Sequence, residues 1–318
     1  MNATPLAAPA TMRVVTASEW GGPEVLTEAR VARPEPGPTE ILVRVHAAGL
    51  NPVDWKSRAT GGFGMWAETP VLGYDVSGVV EAVGLGVTLY APGDEVFGMP
   101  DFPRQAGGYG EYVTGPARHF ARKPASLSHV EAAALPLAGL TAWQSLVGTA
   151  ALRPGQRVLV HAAAGGVGHL AVQIAKARGA YVLGTAGAAK QDFLRSLGVD
   201  EPIDYTATDF SEAVRDVDVV LDSVGGDYGT RSLPVLRDGG TLVTLPSPDA
   251  APAGERGIRT GFTLVEPDYA GLLGLVELVE TGRLRPVVDT VLPLAEAAKA
   301  HELGESGRTR GKIVLTVV

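Results

Sequence analysis

A glycine-rich turn is the chemical feature of the sequence with the clearest spacing. Ala163, Gly165 and Gly168 follow the fingerprint G-x-G-x-x-G, with alanine at the first position, in the stretch HAAAGGVGHLAV. In this fingerprint the backbone turns sharply and approaches a pyrophosphate, whose charge lies on free N–H groups at the start of a helix. The turn therefore predicts a dinucleotide site in which Ala163, Gly165, Gly166, Val167 and Gly168 hold the phosphates.

The segment after the next strand bears on which dinucleotide binds. NAD-dependent enzymes place Asp or Glu about 20 residues beyond the glycines, where the carboxylate accepts a hydrogen bond from the ribose 2′-OH. Here the segment from Gly184 to Lys190 reads GTAGAAK, and no acidic residue follows it before Asp192. An uncharged pocket that ends in a lysine suits a 2′-phosphate. We therefore expect NADPH, with Thr185 and Lys190 among its contacts.

Composition and missing motifs exclude several other functions. The chain has no cysteine, which excludes disulfides and cysteine redox pairs and removes the thiolates of a structural zinc site. A net charge of -8 without a cluster of Lys and Arg excludes an ordinary nucleic-acid binder. No G-x-S-x-G elbow indicates a hydrolase. His46, His161 and His169 lack a histidine partner at ligand spacing, and we expect them to be structural.

Alternating strands and helices position the glycine turn. An apolar run at Val158 to Val160 precedes the turn, and from Val167 apolar residues recur at helical spacing. Further strands are predicted at residues 181–184 and 217–225 and in GTLVTLP, with helices between them. This βαβ rhythm predicts a doubly wound parallel sheet whose first strand leads into the turn.

The two ends of the chain differ from this middle part. MRVVTAS and ILVRVHAAG predict β-strands, and the stretch from AAGLNPVDWKSRAT to GGYGEYV is predicted to form further short strands punctuated by Gly and Pro. A helical region follows Ser126, with a capping-box pattern at Ser128 and Glu131 and an interruption at Pro136. The last strands, including KIVLTVV, are expected to pair with the N-terminal strands.

Length and hydropathy set the broad class. The 318 residues, of which 45% are hydrophobic and 19% charged, fit about two globular domains. No run approaches the ~18 apolar residues of a membrane helix. The first dozen residues lack the basic and apolar segments of a signal peptide, so we interpret them as a loose N-terminal tail and expect a cytoplasmic protein.

Five segments in this order resemble a known family: AGLNPVDWK, LGYDVSGVVEAVG, GGYGEYV, the fingerprint AAAGGVG and the C-terminal GKIVL. Together they resemble the zinc-independent quinone and enone oxidoreductases of the medium-chain dehydrogenase/reductase superfamily, from about residue 13 to residue 317. The resemblance implies an α/β Rossmann domain (128–283), with a doubly wound parallel sheet, inserted into a GroES-like β-barrel catalytic domain (1–127 and 284–318). It also implies a cleft between the domains and a homodimer, for which GGTLVTLP and GFTLVEP are candidate edge strands.

The resemblance also implies a site without zinc. Zinc-dependent members carry a cysteine ligand in the loop that matches AGLNP and a His-Glu pair in the segment that matches GYD. Asn51, Tyr74 and Asp75 stand at these positions here, and GLTAW replaces the segment with the third ligand. We expect no metal. Without a Lewis acid, alcohol oxidation is difficult, whereas hydride addition to an electron-poor carbonyl compound needs mainly preorganised hydrogen bonds.

Several residues receive roles from the resemblance. Asn51 would lie near the nicotinamide, or it is only a turn residue before a proline. Asp54 and Lys56 form a local ion pair, a polar relay or a solvated loop. Tyr74 either faces the cleft through its hydroxyl or packs in the core. The implied cofactor contacts are Thr141 at the nicotinamide and Lys190 with Tyr205 at the 2′-phosphate. Aromatic residues in the expected cleft loops are Trp55, Phe63, Trp66 and Phe102.

The sequence therefore predicts an NADPH-dependent reductase of a quinone or an α,β-unsaturated carbonyl compound, with the proton supplied by solvent or by a cleft hydroxyl. One alternative is an enoyl-thioester reductase or a tailoring enzyme of a biosynthetic pathway. Another is a nucleotide-binding redox sensor or structural protein with little catalysis.

Overall fold

The computed structural model describes residues 10–67, 69–247 and 256–318. Most of the predicted N-terminal tail, residues 1–9, lies outside the described residues, and the first strand already begins at Thr11. Within the described ranges, no helix has the length and apolar character that a membrane crossing requires.

The described chain forms two large sheets and a two-stranded ribbon. The strands are β1 (Thr11–Ala17), β2 (Leu26–Ala32), β3 (Glu40–Gly49), β4 (Asp75–Val83), β5 (Glu95–Gly98), β6 (Tyr112–Pro116), β7 (Phe120–Arg122), β8 (Arg157–Val160), β9 (Tyr181–Ala186), β10 (Glu201–Asp204), β11 (Val217–Asp222), β12 (Leu236–Thr244), β13 (Arg259–Phe262), β14 (Val288–Pro293) and β15 (Lys312–Thr316). The helices are α1 (Pro52–Thr60), α2 (His129–Ala133), α3 (Pro136–Trp143), α4 (Gly168–Ala177), α5 (Gln191–Ser196), α6 (Phe210–Ala213), α7 (Tyr228–Ser232), α8 (Tyr269–Glu280) and α9 (Ala297–Glu305).

The middle of the chain forms the predicted parallel sheet. Its strand order is β10-β9-β8-β11-β12-β13, and every neighbouring pair is parallel. β8 lies between β9 and β11. The chain therefore adds β9 and β10 on one side of β8 and β11, β12 and β13 on the other side. The turn that follows β8 therefore lies at the switch point of a doubly wound sheet, where such folds bind ligands.

The C-terminal strands return to the N-terminal part of the chain, as predicted. The second sheet has the order β14-β15-β3-β4-β5-β7, with β6 also paired to β3. β15 runs antiparallel to β3, with Val314 opposite Gly49. A Rossmann domain inserted into a split, GroES-like β domain is thus the confirmed fold class. α2 packs on β3 and β4, whereas α3 packs on α4 and α8, and the exact domain boundaries stay a prediction.

Capping chemistry explains the helices after residue 126. Ser128 Oγ accepts a hydrogen bond from the Glu131 backbone N–H at 3.2 Å, and Glu131 Oε2 accepts one from the Ser128 backbone N–H at 3.0 Å. The two partners complete the predicted capping box at the start of α2. α2 ends at Ala133 and α3 begins at Pro136, so the predicted interruption is also confirmed.

The prediction of short strands throughout the AAGLNPVDWKSRAT stretch was wrong, because Pro52–Thr60 forms helix α1. The backbone of Asn51 is extended, Pro52 occupies the first helical turn, and the Asp54 carboxylate accepts a hydrogen bond from the Asn51 backbone N–H at 2.7 Å. These are helix-start features. Gly61 ends the helix with a φ of 79°, a left-handed conformation that favours glycine.

The prediction that GGTLVTLP forms an edge strand was also wrong. β12, which contains GTLVT, is paired with β11 on one side and β13 on the other. The edge strand at this side of the sheet is β13, which begins just before GFTLVEP and shares its first residues. The apolar run of β12 is explained by burial between two parallel neighbours rather than by a protein interface.

Candidate active site

A cleft of about 1140 Å³ lies between the two domains. Helix α1 and the start of β15 contribute one wall, and the turn after β8 contributes the other. No carboxylate group among the described residues lines the cleft, whereas Lys56, Lys190, Arg308 and Lys312 do. An anionic ligand therefore suits this cleft better than a cationic one.

The glycine turn is shaped by close backbone approaches. A Cβ atom at Gly168 would lie 2.3 Å from the carbonyl oxygen of Ala162 and 2.7 Å from Cα of Ala163, so only glycine fits where α4 starts against the strand. Gly165, Gly166, Val167 and Gly168 line the cleft. Ala163 is fully buried instead, and its Cβ lies 2.9 Å from the Cβ position of Gly184. It supports the turn from behind.

Thr185 also supports the turn from behind, although we expected it to contact the cofactor. Its hydroxyl oxygen accepts a hydrogen bond from the Ala162 backbone N–H at 3.2 Å and lies 3.2 Å from Nδ1 of His161. His161 Nε2 lies 3.0 Å from the Ser232 hydroxyl, and burial lowers the pKa of His161 to about 3. This neutral histidine joins the ends of β8 and β9 to α7.

One end of the cleft is a cationic pocket. Lys190 donates a hydrogen bond to the carbonyl oxygen of Thr309 at 2.8 Å. Tyr205 is half exposed, and its hydroxyl lies 3.7 Å from the Cβ position of Gly187. Lys190, Tyr205 and Arg308 all line the cleft here. Their hydrogen-bond donors can hold a phosphate group.

Two neighbouring residues sharpen this description. The Asp192 side chain is fully exposed and pairs with Arg195 at 2.7 Å, and it does not line the cleft. Arg308 was missed in the sequence, although the basic run RTRGK at residues 308–312 was a signal that could have revealed it. The folded chain brings that run beside Lys190, more than a hundred residues away along the sequence.

A buried polar network forms the wall opposite the turn. Lys312 Nζ donates hydrogen bonds to the Leu50 carbonyl oxygen at 2.5 Å and to Asn51 Oδ1. Asn51 Nδ2 donates a hydrogen bond to Asp75 Oδ2 at 2.9 Å. The same Asp75 oxygen lies 3.4 Å from Lys312 Nζ. Asp75 Oδ1 accepts from the Leu137 backbone N–H at 2.7 Å. Asn51 and Lys312 both line the cleft.

Asp54 and Lys56 have separate environments and do not form the local ion pair that was one alternative. Asp54 is fully buried, and burial raises the pKa of its carboxyl group to about 8, against the opposing hydrogen bond from the Asn51 backbone. Lys56 is exposed and lines the cleft. Of these two residues, only Lys56 is placed where it can contact a ligand.

Tyr74 lies in the core. Its side chain is buried against Phe102, with ring centroids 5.1 Å apart, and its hydroxyl has no hydrogen-bond partner among the described residues. Burial raises its pKa. Since Tyr74 does not line the cleft, of the two alternatives the structure favours core packing.

The remaining predicted residues divide between cleft and support. Thr141 lines the cleft, but its hydroxyl donates to the Leu137 carbonyl oxygen at 2.7 Å. Trp55, Phe63 and Phe102 line the cleft as expected. Trp66 does not line it; its indole N–H donates to the Gly61 carbonyl oxygen at 2.6 Å.

Comparisons with known proteins agree with this architecture. Residues 37–125 match the family described as alcohol dehydrogenase GroES-like domain, and residues 197–315 match the family described as zinc-binding dehydrogenase. A 2-methylene-furan-3-one reductase from Solanum lycopersicum is 36% identical over 326 residues, which covers 99% of this chain and 81% of the relative. The chain belongs to the medium-chain dehydrogenase/reductase superfamily.

Solved structures of superfamily members superpose closely on the chain. The quinone oxidoreductase from Coxiella burnetii is 37% identical, with a TM-score of 0.90, and the match covers 97% of this chain and 100% of that one. The CurK enoyl reductase is 30% identical, with a TM-score of 0.85 and coverage of 96% and 99%. The relatives named here are oxidoreductases, and the chain is an oxidoreductase of this superfamily.

The zinc named in one of these family descriptions does not fit the residues present. Zinc sites in proteins use Cys, His and carboxylate ligands in a tetrahedral arrangement. The chain has no cysteine, and the described residues contain no group of three or more His, Asp or Glu side chains that could hold a metal ion. The candidate ligand positions, Asn51 and Asp75, instead bind the ammonium group of Lys312.

Proposed function

We propose that the protein reduces a quinone or an α,β-unsaturated carbonyl compound, with NADPH as hydride donor and without a metal. The observation that carries this proposal is the polarity of the cleft. A cationic pocket at Lys190 and Arg308, a glycine turn and an apolar aromatic wall follow one another, and no described carboxylate interrupts them. This order suits a dinucleotide with a 2′-phosphate that lies against an electron-poor apolar acceptor.

The residues would divide the work as follows. Gly165, Gly166 and Gly168 allow the backbone to approach the pyrophosphate, and Lys190, Tyr205 and Arg308 would bind the 2′-phosphate. NADPH supplies the hydride when it is bound. Phe63 and Phe102 would pack on the flat acceptor and exclude water.

Two groups could donate hydrogen bonds to the oxygen of the acceptor. Lys56 is exposed and lines the cleft, and Asn51, which is 1% exposed, also lines it. Either donor would stabilise the negative charge that develops on that oxygen. Solvent that reaches Lys56 would supply the proton, so neither Asp54 nor Tyr74 is required as a proton donor.

The test is NADPH oxidation by the purified protein, followed by the loss of NADPH absorbance against quinones, enones and enoyl thioesters. We expect turnover with quinones or enones and a preference for NADPH over NADH. Turnover with enoyl thioesters alone would favour the second candidate, an enoyl-thioester reductase, which is supported by the similarity to the CurK enoyl reductase. Tight NADPH binding without turnover on any acceptor would contradict both and favour a redox sensor or structural protein.

We also propose a homodimer in which a second copy pairs with β13. This strand is the edge of the described parallel sheet, and Phe262 at its end and nearby Leu264, which also line the cleft, are 37% and 49% exposed. Unpaired edges with apolar side chains favour strand addition. Light scattering across a dilution series should give twice the chain mass, and a monomer at every concentration would contradict the dimer. The cytoplasmic location stays a prediction, to be tested by cell fractionation.

A further inference from the structure

Lys312 is a buried cation beside the cleft. Its side chain is 3% exposed. Three oxygens surround its ammonium group: the Leu50 carbonyl oxygen, Asn51 Oδ1 and Asp75 Oδ2. A charged ammonium group has three N–H donors and a neutral amine has only two. Burial lowers the pKa of Lys312, while Asp75 opposes that shift, and the three oxygens favour the charged form.

The network fixes the orientation of the Asn51 amide. Oδ1 must face Lys312 because an ammonium group can only donate, and Nδ2 must face Asp75 because a carboxylate can only accept. If the Asn51 amide were rotated by half a turn, its N–H donors would face the N–H donors of Lys312, and its oxygen would face the Asp75 oxygen. One hydrogen of Nδ2 is bonded to Asp75, and the second has no acceptor among the described residues, at a position where Asn51 lines the cleft.

The same lysine lies against the glycine turn. Its Cδ atom is 3.3 Å from the Cβ position of Gly166. The preceding residue, Gly311, donates a backbone hydrogen bond to the Ala164 carbonyl oxygen at 2.9 Å. β15 therefore holds the buried charge where the turn of one domain meets Asn51 of the other.

We propose that Lys312 is a positioning residue that polarises the Asn51 amide, so that the free Asn51 N–H stabilises negative charge on the oxygen of the acceptor. Asp75 holds both partners in place. A donor to a carbonyl oxygen strengthens the hydrogen bond that the same amide makes through its N–H. The buried cation thus takes over part of the electrostatic task of a metal, and it does so through an intervening amide.

This inference rests on the proposed function and deepens it. With bound NADPH as the hydride source, a C–H bond would form at the electron-poor carbon of the acceptor. With either acceptor the π electrons of the conjugated system would move to the carbonyl oxygen and give an enolate. The enolate formed from a quinone would become a hydroquinone when the added hydrogen leaves its ring carbon as a proton and the oxygen is protonated. A proton from solvent then completes the reduction. The Asn51 N–H would bind this oxygen most strongly when it carries the negative charge, as catalysis requires.

The test replaces the charged residues Lys312 and Asp75 together by neutral ones. Lys312→Met alone leaves Asp75 buried without its cation, so the double variant Lys312→Met with Asp75→Asn provides a neutral network of similar shape. We expect kcat to fall on the order of tenfold to a hundredfold with enones. It should fall less with quinones, whose reduced anions need less stabilisation. The Kd for NADPH, measured by fluorescence, should stay within about threefold of the wild type.

A matched control is available in Lys123. It is another buried lysine, which donates to the Leu127 carbonyl oxygen at 2.6 Å and pairs with Glu95 at 3.2 Å, and it does not line the cleft. Lys123→Met should leave the enone-to-quinone ratio of kcat unchanged. Equal losses of kcat with both acceptors in the double variant, or no loss, would overturn the proposed role of Lys312, because a merely structural lysine does not distinguish acceptors.

A second measurement does not depend on turnover. 4-Nitrophenol is a flat acceptor analogue whose phenolate oxygen resembles the enolate oxygen, and its ionisation is visible in its absorbance. The wild type should bind the phenolate more tightly than the phenol, and Lys312→Met with Asp75→Asn should reduce that preference about tenfold. An unchanged preference would overturn the inference. Lack of turnover by the wild type would contradict only the proposed function, so the two failures are distinguishable.

Discussion

The two walls of the cleft are built by different means. The glycine turn occupies residues 162–168, and its shape depends on backbone contacts within that short stretch. The opposite wall joins Asn51 at the start of α1, Asp75 at the start of β4 and Lys312 at the start of β15, and the hydrogen bond between Asn51 and Lys312 spans 261 positions of the chain. One wall is local and made of backbone, whereas the other is long-range and made of charged and polar side chains.

Gly168→Ala tests the local wall and should have the largest effect. The new Cβ atom would lie 2.3 Å from the Ala162 carbonyl oxygen, so the start of α4 must move away from the turn that follows β8. We expect the free energy of unfolding to fall by about 3 kcal/mol and NADPH binding to be lost. Thermal unfolding and fluorescence titration measure the two effects.

Gly165→Ala is the matched control for that change. Its Cβ atom would lie 3.2 Å from the same oxygen, a contact that a small shift relieves. The thermal stability of this variant should stay close to that of the wild type. Equal losses of thermal stability in the two variants would mean that the distance to the Ala162 carbonyl oxygen does not decide which side chains the turn accepts. The contrast between the two walls would then weaken.

The difference between the walls explains what the sequence could predict. The turn, its strand and its helix follow a fixed spacing, and so the parallel sheet and Gly165, Gly166 and Gly168 could be recognised without a structure. Even there, spacing did not reveal that Ala163 and Thr185 face away from the cleft, since this depends on the packing of β9 behind the turn.

The long-range wall could be predicted only in part. Asn51 was singled out through the resemblance, but its partners Asp75 and Lys312 come from strands whose register no local pattern contains. Helix α1 was missed because the Gly and Pro residues of this stretch were weighed as strand punctuation, although Pro52 is also a helix-start residue. Tyr74 could not be placed, since it precedes β4 and its burial depends on packing against Phe102, a residue distant in the sequence.

Lys190→Ala extends the comparison of the two walls to the cationic pocket. There Lys190, which is near the glycine turn in the sequence, and the distant Arg308 line the cleft together. Removing the ammonium group should weaken NADPH binding about tenfold to a hundredfold and leave NADH binding nearly unchanged, because only NADPH has the 2′-phosphate. Arg308→Ala should have an effect of the same sign. Fluorescence titration with both dinucleotides measures the ratio.

Lys176→Ala is the control for these variants. Lys176 pairs with Asp200 at 2.7 Å outside the cleft, so its loss should not change either affinity. An unchanged NADPH-to-NADH ratio in Lys190→Ala would contradict the assignment of the 2′-phosphate pocket. A change in Arg308→Ala alone would assign recognition of the 2′-phosphate to the C-terminal basic run instead of Lys190.

Asp54 belongs to the long-range wall, and its effect is a dependence of stability on pH. Its carboxyl group is buried near Asp75 and Lys312, and burial raises its pKa from 3.8 to about 8. Because the folded-state pKa is above the unfolded one, the native protein binds an extra proton between these values. The free energy of unfolding therefore falls as the pH rises towards 8, with a slope of at most about 1.4 kcal/mol per pH unit from this group.

Asp54→Asn should remove that slope. Asparagine Oδ1 can still accept the hydrogen bond from the Asn51 backbone N–H, but the side chain cannot ionise. Denaturant unfolding at several pH values should show a flatter profile between pH 3.8 and about 8 than the wild type. Asp94→Asn is the contrasting control: Arg122 and the Ala91 backbone lower the pKa of Asp94, so its contribution is lost as the pH falls. If Asp54→Asn kept the slope between pH 3.8 and about 8, the charge balance of the long-range wall would not include Asp54, and the buried pair of Asp75 and Lys312 would stand alone.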